Sequence, residues 1–180
     1  DANPRRPYFQ RMDTLVRKVG GDNPDAEYEF AAIDGQYDYK ITGNIGSVRY
    51  LGFTFNAGQG TTTRRQFAYL SDKTLELDQD GNFTLILSQE PINTSGQWIQ
   101  IPDDASGILV RQYIANRKKE ELATLNIDIL GSPIQYSPVT DQEIADAIIG
   151  TSYAFLSLTT LHHRVLPGLM EETNVFIEAT

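Results

Sequence analysis

The chain has 180 residues, carries a net charge of −9 at pH 7 and contains no cysteine. This length predicts one main domain. The negative charge disfavours nucleic acid and anionic membrane surfaces as partners. The lack of cysteine excludes disulfides, thiolate nucleophiles and zinc–sulfur sites. No apolar run approaches the roughly 20 residues that span a bilayer, and the first ten residues lack the apolar region of a signal peptide, so both the cytoplasm and the periplasm fit the sequence.

Residues 7–19 have the spacing of an amphipathic helix. Their apolar side chains recur at intervals of three or four positions and fall on one stripe: Phe9, Met12, Leu15, Val16 and Val19. Pro7 suits the first turn of a helix, and Gly20 with Gly21 suits its end. The pattern predicts an N-terminal helical segment within residues 1–26, packed on a sheet.

From Glu27 to about Leu130 the hydrophobic period is two, which indicates β-strands. In the segment LATLNIDIL, for example, leucine and isoleucine alternate with polar residues. About eight short strands of this kind are separated by turns rich in Gly, Asp, Asn and Ser. Parallel sheets are buried on both faces and show continuous apolar runs, which these strands mostly lack. We therefore predict that residues 27–135 form an antiparallel β-sandwich with a jelly-roll-like arrangement.

Residues 136–180 return to a helical period. Thr140 and Glu143 have the spacing of a capping box, in which two side chains satisfy backbone amides at the start of a helix. The stretch that follows predicts a helix ending at Pro167–Gly168, and it is apolar over most of its circumference. We expect this helix, at residues 141–165, to pack on the sandwich or to meet a second copy of the chain or an additional N-terminal domain.

No catalytic, metal-binding or cofactor-binding motif stands out. The glycine-rich segments GNIGS and GQGTTT match neither of the phosphate-binding glycine patterns. The segment LDQDGN is typical of a turn and only faintly resembles the start of a calcium loop. His162 and His163 are adjacent on the predicted helix, so their side chains point about 100° apart and do not suit one metal ion. We therefore predict neither a metal site nor a cofactor.

Residues that suit a small ligand lie around Trp98 and Tyr113. In the segment GILVRQYIA, Arg111 and Tyr113 alternate onto one face of a strand, and Trp98 is the only tryptophan in the chain. Arginine binds carboxylate, sulfate or phosphate, and aromatic faces stack on sugars or apolar groups. We predict a cleft in which Arg49 and Asp25 join these three residues. The structural alternative is that Trp98 closes one end of the sandwich and Arg111 pairs with an internal acid.

Three functional classes remain open from the sequence. The first is a non-catalytic module that binds a saccharide or a small organic acid through exposed tyrosine rings: Tyr37, Tyr39, Tyr50, Tyr69 and Tyr113. The second is a hydrolase or isomerase that uses carboxylates and arginines for acid–base chemistry: Asp22, Asp25, Arg49 and Arg111. The third is a structural domain that forms oligomers through its apolar C-terminal helix.

The order of several residues is similar to that of a known bacterial family. Asp80–Gly81 opens a strand, Trp98 and Pro102 follow, and a later strand ends in Val-Arg-Gln-Tyr at residues 110–113. Over about residues 20–115 this order resembles the family called domain of unknown function 1214. The segment between the tryptophan and the proline departs from the family pattern, which indicates a divergent, short member. The resemblance implies a jelly-roll-like β-sandwich and says little about chemistry.

Overall fold

The structure is a computed structural model that describes residues 3–12, 14, 16, 23–59, 62, 64–131 and 138–171, with helix side chains described up to residue 157 and at residue 160. The chain divides into two compact units, which are Asp1–Gly58 with Thr63–Gln135, and Gln59–Thr62 with Tyr136–Thr180. In the described residues nine strands precede one helix: β1 (Gln10–Arg11), β2 (Ala26–Ala32), β3 (Tyr39–Asn44), β4 (Tyr50–Ala57), β5 (Arg65–Ser71), β6 (Asn82–Ser88), β7 (Gln97–Gln100), β8 (Ala105–Tyr113), β9 (Thr124–Ile129) and α1 (Asp141–Glu171).

The strands form two sheets. The first has five strands in the order β1-β2-β8-β4-β5, and the second has four in the order β7-β6-β3-β9. Neighbouring strands run antiparallel, with the exception of β6 and β7, which run parallel. The prediction of a mainly β fold with a C-terminal helix is therefore confirmed.

The two sheets contribute to one hydrophobic core. Alternation along β4 directs Leu51, Phe53 and Phe55 inward, where all three are fully buried. Phe53 meets Phe83 of β6 edge to face, with ring centroids 5.7 Å apart. Strands β2 to β9 give side chains to this core, and the side chains at the alternate positions lie on the outer faces of the sheets.

Tyr39 belongs to this core, so the prediction that its ring is exposed is wrong. The side chain is fully buried between neighbours on both sheets. Its hydroxyl accepts a hydrogen bond from the backbone N–H of Asp34 at 2.9 Å and donates one to the carbonyl of Pro4 at 3.1 Å. Burial raises the pKa of Tyr39 well above its ordinary value. A buried tyrosine with a satisfied hydroxyl thus has a packing role here.

The predicted N-terminal helix is not seen. In the described part of residues 7–19, the chain instead forms the short strand β1, in which Gln10 lies opposite Phe30 and Arg11 opposite Glu29. The N–H of Met12 extends this pairing by donating to the carbonyl of Tyr28 at 2.9 Å. Pairing with an existing sheet edge satisfies these backbone groups and overrides the local helical spacing. Residues 13, 15 and 17–22 lie outside the described residues.

The helix α1 begins as the sequence predicts. The Thr140 hydroxyl accepts from the N–H of Glu143 at 3.2 Å, and the Glu143 carboxylate accepts from the N–H of Thr140 at 2.7 Å, which is a complete capping box. The helix continues past the predicted end at Pro167–Gly168. Exposed apolar side chains in its described part are Ile144, Ile148, Ile149, Tyr153, Phe155 and Leu156. Among the described residues, no helix combines the length and hydropathy required to cross a membrane.

Candidate functional site

Four tyrosines surround one arginine on the outer face of the five-stranded sheet. We call this surface the tyrosine face, and it consists of Tyr28, Tyr50, Tyr69, Arg111 and Tyr113. In the strand register Arg111 lies between Tyr28 and Gly52, Tyr113 lies between Ala26 and Tyr50, and Tyr69 lies opposite Thr54. Along β8 these outward positions alternate with the buried Val110 and Gln112. The period-two pattern of the sequence therefore correctly predicts that Arg111 and Tyr113 share a face.

Arg111 is the charged centre of the tyrosine face. Its Cζ lies 5.3 Å from the centroid of the Tyr28 ring, which is a cation–π contact. Its Nε is buried and has no hydrogen-bond partner among the described residues. The residue as a whole is only half-buried and lies on the outer face of the sheet. The structural alternative of an internal acid paired with Arg111 is not found in the described part of the chain.

Four other arginines of the same unit differ from Arg111 because they pair with carboxylates. Their ion pairs are Arg11 and Arg117 with Glu27, Arg49 with Glu120, and Arg65 with Asp104. A half-buried arginine without such a pair retains donors that suit an anion from solution. This difference makes Arg111 the strongest candidate for a ligand-binding residue.

A pair of hydroxyls lies beside Arg111 on the same face. The hydroxyls of Tyr50 and Tyr69 share a short hydrogen bond. The Tyr50 ring leans over Gly52, which has no side chain to obstruct it. A Cβ at Gly52 would lie only 2.3 Å from the Tyr50 hydroxyl oxygen. Partial burial and the bond to Tyr69 raise the pKa of Tyr50 to about 12. The Tyr50 ring also packs against Tyr113, with centroids 5.3 Å apart and planes inclined at 42°.

We expect Gly52→Ala to displace the Tyr50 ring and to break its bond with Tyr69. The added methyl group occupies the position of the Tyr50 hydroxyl, and the exposed end of a tyrosine moves more easily than a strand. The pKa of Tyr50 should then fall from about 12 towards the ordinary phenol value of about 10. An NMR titration of the tyrosine ring signals measures this fall. Tyr69→Phe is the control, since it removes the same hydrogen bond without touching the strand.

Trp98 does not join Arg111, so the predicted convergence of these two residues is not found. Trp98 lies on β7 of the four-stranded sheet, and its 40% exposed side chain is on the outer face because its neighbour Ile99 packs in the core. Its Nε1 donates to the Ser88 hydroxyl at 2.9 Å. The indole is therefore held at a sheet edge, and it neither closes the core nor lines the tyrosine face.

The side chains of Arg49 and Asp25 are not part of the tyrosine face, although the N–H of Arg49 donates to the carbonyl of Tyr113 at 2.9 Å. The Arg49 side chain is 71% exposed, and its Nε donates to the Glu120 carboxylate at 2.9 Å. Asp25 is exposed in a turn before β2, where its N–H donates to the Asn23 side chain at 3.0 Å. Asp22, the other acid of the predicted enzyme set, lies outside the described residues.

A buried polar cluster, which the sequence did not predict, lies on the core side of β2. Two arginines from separate segments, Arg11 and Arg117, bind the carboxylate of Glu27, and we call these three residues the glutamate clamp. Next to the clamp, Gln112 donates to Glu29 at 3.1 Å and accepts from the N–H of Ala123 at 2.8 Å. The available signal was the arrangement of two glutamates at alternate positions of one strand, which places both on the same face.

The two glutamates have opposite pKa shifts. Burial alone would raise the pKa of Glu27, but hydrogen bonds and charge from Arg117 and Arg11 outweigh burial and lower it. Burial dominates at Glu29, where it raises the pKa against the hydrogen bond from Gln112. The clamp thus favours the ionised form of Glu27, whereas burial disfavours the ionised form of the neighbouring Glu29.

No group of three metal-ligating side chains converges in the part of the chain that the structure describes. The LDQDGN segment forms a turn, in which the Asp78 carboxylate accepts from the N–H groups of Asp80 and Asn82 at 2.9 and 2.8 Å. Gly81 has φ of 79°, a conformation that glycine adopts without strain. The carboxylate of Asp78 therefore serves the turn itself.

Comparisons with known proteins give structural neighbours of unknown function. No protein-family model and no curated protein matches the chain. A crystal structure of an uncharacterised protein from Burkholderia cenocepacia matches over 82% of this chain with 31% identity and a TM-score of 0.71. A second structure, from Vibrio parahaemolyticus, matches over 59% of this chain and 31% of its own, with 17% identity and a TM-score of 0.44. The chain spans 41% of the length of the Burkholderia protein, to which it is similar in fold and sequence.

Proposed function

We propose that this chain contains a non-catalytic binding module whose tyrosine face takes a small organic anion, such as an organic acid or a saccharide that carries an acidic group. The scaffold of the module is a β-sandwich, and the jelly-roll-like arrangement remains a proposal about its connectivity. The ligand occupies the outer face of the five-stranded sheet and contacts Arg111, Tyr28 and Tyr113.

One observation carries this proposal: Arg111 is half-buried, lies over an aromatic ring and has no acidic partner among the residues that the structure describes. Desolvating a guanidinium without a counter-ion costs free energy, and an incoming carboxylate or sulfate recovers part of that cost. Aromatic rings on both sides add flat apolar area for the body of the ligand.

Arg111→Ala is expected to weaken the binding of a small carboxylate about 20-fold, because a charge-assisted hydrogen-bond pair is lost. The melting temperature should change little, since the side chain makes no ion pair. Isothermal titration with benzoate and glucuronate measures the first effect, and thermal denaturation the second. Arg49→Ala is the matched control, since it removes the same charge from an exposed ion pair and should leave affinity unchanged. Unchanged affinity in Arg111→Ala, with a large drop in melting temperature, would assign Arg111 to stability.

Two alternatives keep specific support. A hydrolase or isomerase is supported by the opposite pKa shifts of Glu27 and Glu29, since neighbouring carboxylates of this kind serve as base and acid in many enzymes. The closed pairing of Glu27 with two arginines counts against this role, because a reacting carboxylate needs access to substrate. An oligomer-forming role is supported by the exposed apolar side chains of α1.

We also propose a distant relationship to the family called domain of unknown function 1214. The residues that carry the resemblance occupy ordered positions of the fold: Asp80–Gly81 precede β6, Trp98 lies in β7, and Arg111 and Tyr113 end β8. Arg111 and Tyr113 coincide with the tyrosine face. If otherwise similar members of the family have a neutral residue at the position of Arg111, that would argue against the proposed anion site.

A further inference from the structure

We infer that the ligand of the tyrosine face is a uronic acid, in which the carboxylate meets Arg111 and ring hydroxyls meet the Tyr50–Tyr69 hydroxyl pair. This inference rests on the proposed binding function and narrows it to acidic saccharides.

The positions of the polar groups set the first requirement on the ligand. Gly52 is the cross-strand neighbour of Arg111, and the Tyr50 hydroxyl lies directly over Gly52. Neighbouring strands are about 4.8 Å apart. The hydroxyl pair and the arginine are therefore close enough to contact one small molecule, which must carry an anionic group and a hydroxyl group on the same compact frame.

The hydroxyl pair sets the second requirement. Each tyrosine hydroxyl has one proton and can also accept. One of the two protons is used in the bond between Tyr50 and Tyr69, so that the pair offers one donor and free acceptor positions to the outside. A polyhydroxyl ligand uses both kinds of position, whereas a simple carboxylate leaves them unused.

The rings set the third requirement. Tyr50 and Tyr113 are inclined at 42° and already pack against each other, so these two rings form no parallel slot for a flat aromatic ligand. Single open ring faces suit the C–H face of a pyranose instead. A carboxylate, several hydroxyls and an apolar ring face occur together in a uronic acid.

The test compares three probes by isothermal titration: glucuronate, glucose and cyclohexanecarboxylate. Glucose lacks the charge, and cyclohexanecarboxylate keeps the ring and the charge but lacks the hydroxyls. We expect glucuronate to bind about tenfold more tightly than either. The double variant Tyr50→Phe/Tyr69→Phe should remove most of the advantage over cyclohexanecarboxylate, because either single variant leaves one hydroxyl that can still donate and accept. Tyr153→Phe, at an exposed tyrosine of α1, is the matched control and should change nothing.

The outcomes separate this inference from the proposed function. If cyclohexanecarboxylate binds through Arg111 as tightly as glucuronate, or if the double phenylalanine variant keeps full glucuronate affinity, the saccharide inference fails and the anion-binding function stands. If no probe binds, or if Arg111→Ala leaves every affinity unchanged, both fail.

Discussion

Phe53→Ala is expected to lower the free energy of unfolding by about 3–5 kcal/mol. Phe53 is fully buried, and its ring contacts Phe83 of the other sheet edge to face and stacks on Phe55 at a centroid distance of 6.3 Å. Truncation loses the transfer free energy of the ring and leaves a cavity where the two sheets meet. Chemical denaturation monitored by circular dichroism measures the change.

Phe53→Leu is the matched control for the cavity, since leucine refills much of the volume and should cost well under half as much. Tyr69→Ala, at a 47% exposed position of the outer face, removes a ring of similar size and should cost far less than Phe53→Ala. Equal costs for the two alanine variants would mean that the sheets do not share the core described above.

Glu27→Gln and Glu29→Gln are expected to change stability in opposite directions, although the two residues lie on the same face of one strand. Glu27→Gln should cost about 2–3 kcal/mol at pH 7, because it removes the buried negative charge that both Arg11 and Arg117 bind. This value is at the low end for buried pairs, since the two arginine side chains are 55% and 50% exposed. Glu29→Gln should stabilise the fold at pH 7, because it removes a buried carboxylate that resists ionisation.

The contributions of Glu27 and Glu29 to stability are also expected to change in opposite directions with pH. The lowered pKa of Glu27 means that its contribution is present above the ordinary value of 4.5 and is lost as the pH falls through the lower value in the folded state. The raised pKa of Glu29 means that its contribution is present below 4.5 and is lost as the pH rises through the higher folded value. Glu27→Gln should therefore flatten the acid limb of the stability profile.

Urea denaturation of both variants between pH 3 and pH 8 tests these signs. Glu76→Gln, outside the clamp and exposed, is the matched control and should leave the profile unchanged. A stabilising Glu27→Gln, or a Glu29→Gln that costs as much as Glu27→Gln, would contradict the opposite directions of the two pKa shifts.

Sequence reasoning placed Arg111 and Tyr113 correctly because their face depends only on local alternation. It could not place Trp98, because the sheet that a strand joins is decided by pairing between distant segments. β7 pairs with β6 in parallel, and this puts Trp98 on the outer face of the other sheet. The proposed cleft of five residues accordingly reduces to Arg111 and Tyr113. Tyr50 and Tyr69, which the sequence predicts as exposed rings, lie beside them, and Tyr28 is the new neighbour.

In strand β2 the buried and the exposed face are the reverse of those that hydropathy alone predicts. In AEYEFAA the aromatic residues Tyr28 and Phe30 would be assigned to the core and the glutamates to solvent by hydropathy alone. The structure has the opposite arrangement, since Glu27 lies opposite Gln112 and Glu29 opposite Val110 on the core side. Arg11 and Arg117 come from distant parts of the chain and satisfy the buried carboxylate, so that the aromatic rings remain on the outer face.

The sequence by itself determined the β character of residues 27–130, the capped start of α1 at Thr140, and the shared face of Arg111 and Tyr113. Each of these follows from side-chain periodicity or capping over a few residues, which acts locally. Only the tertiary structure decided that β1 replaces a helix, that Tyr39 is buried, and which face of β2 turns inward. Those outcomes depend on backbone pairing and ion pairs between residues far apart in the chain. Local periodicity does not predict such long-range contacts.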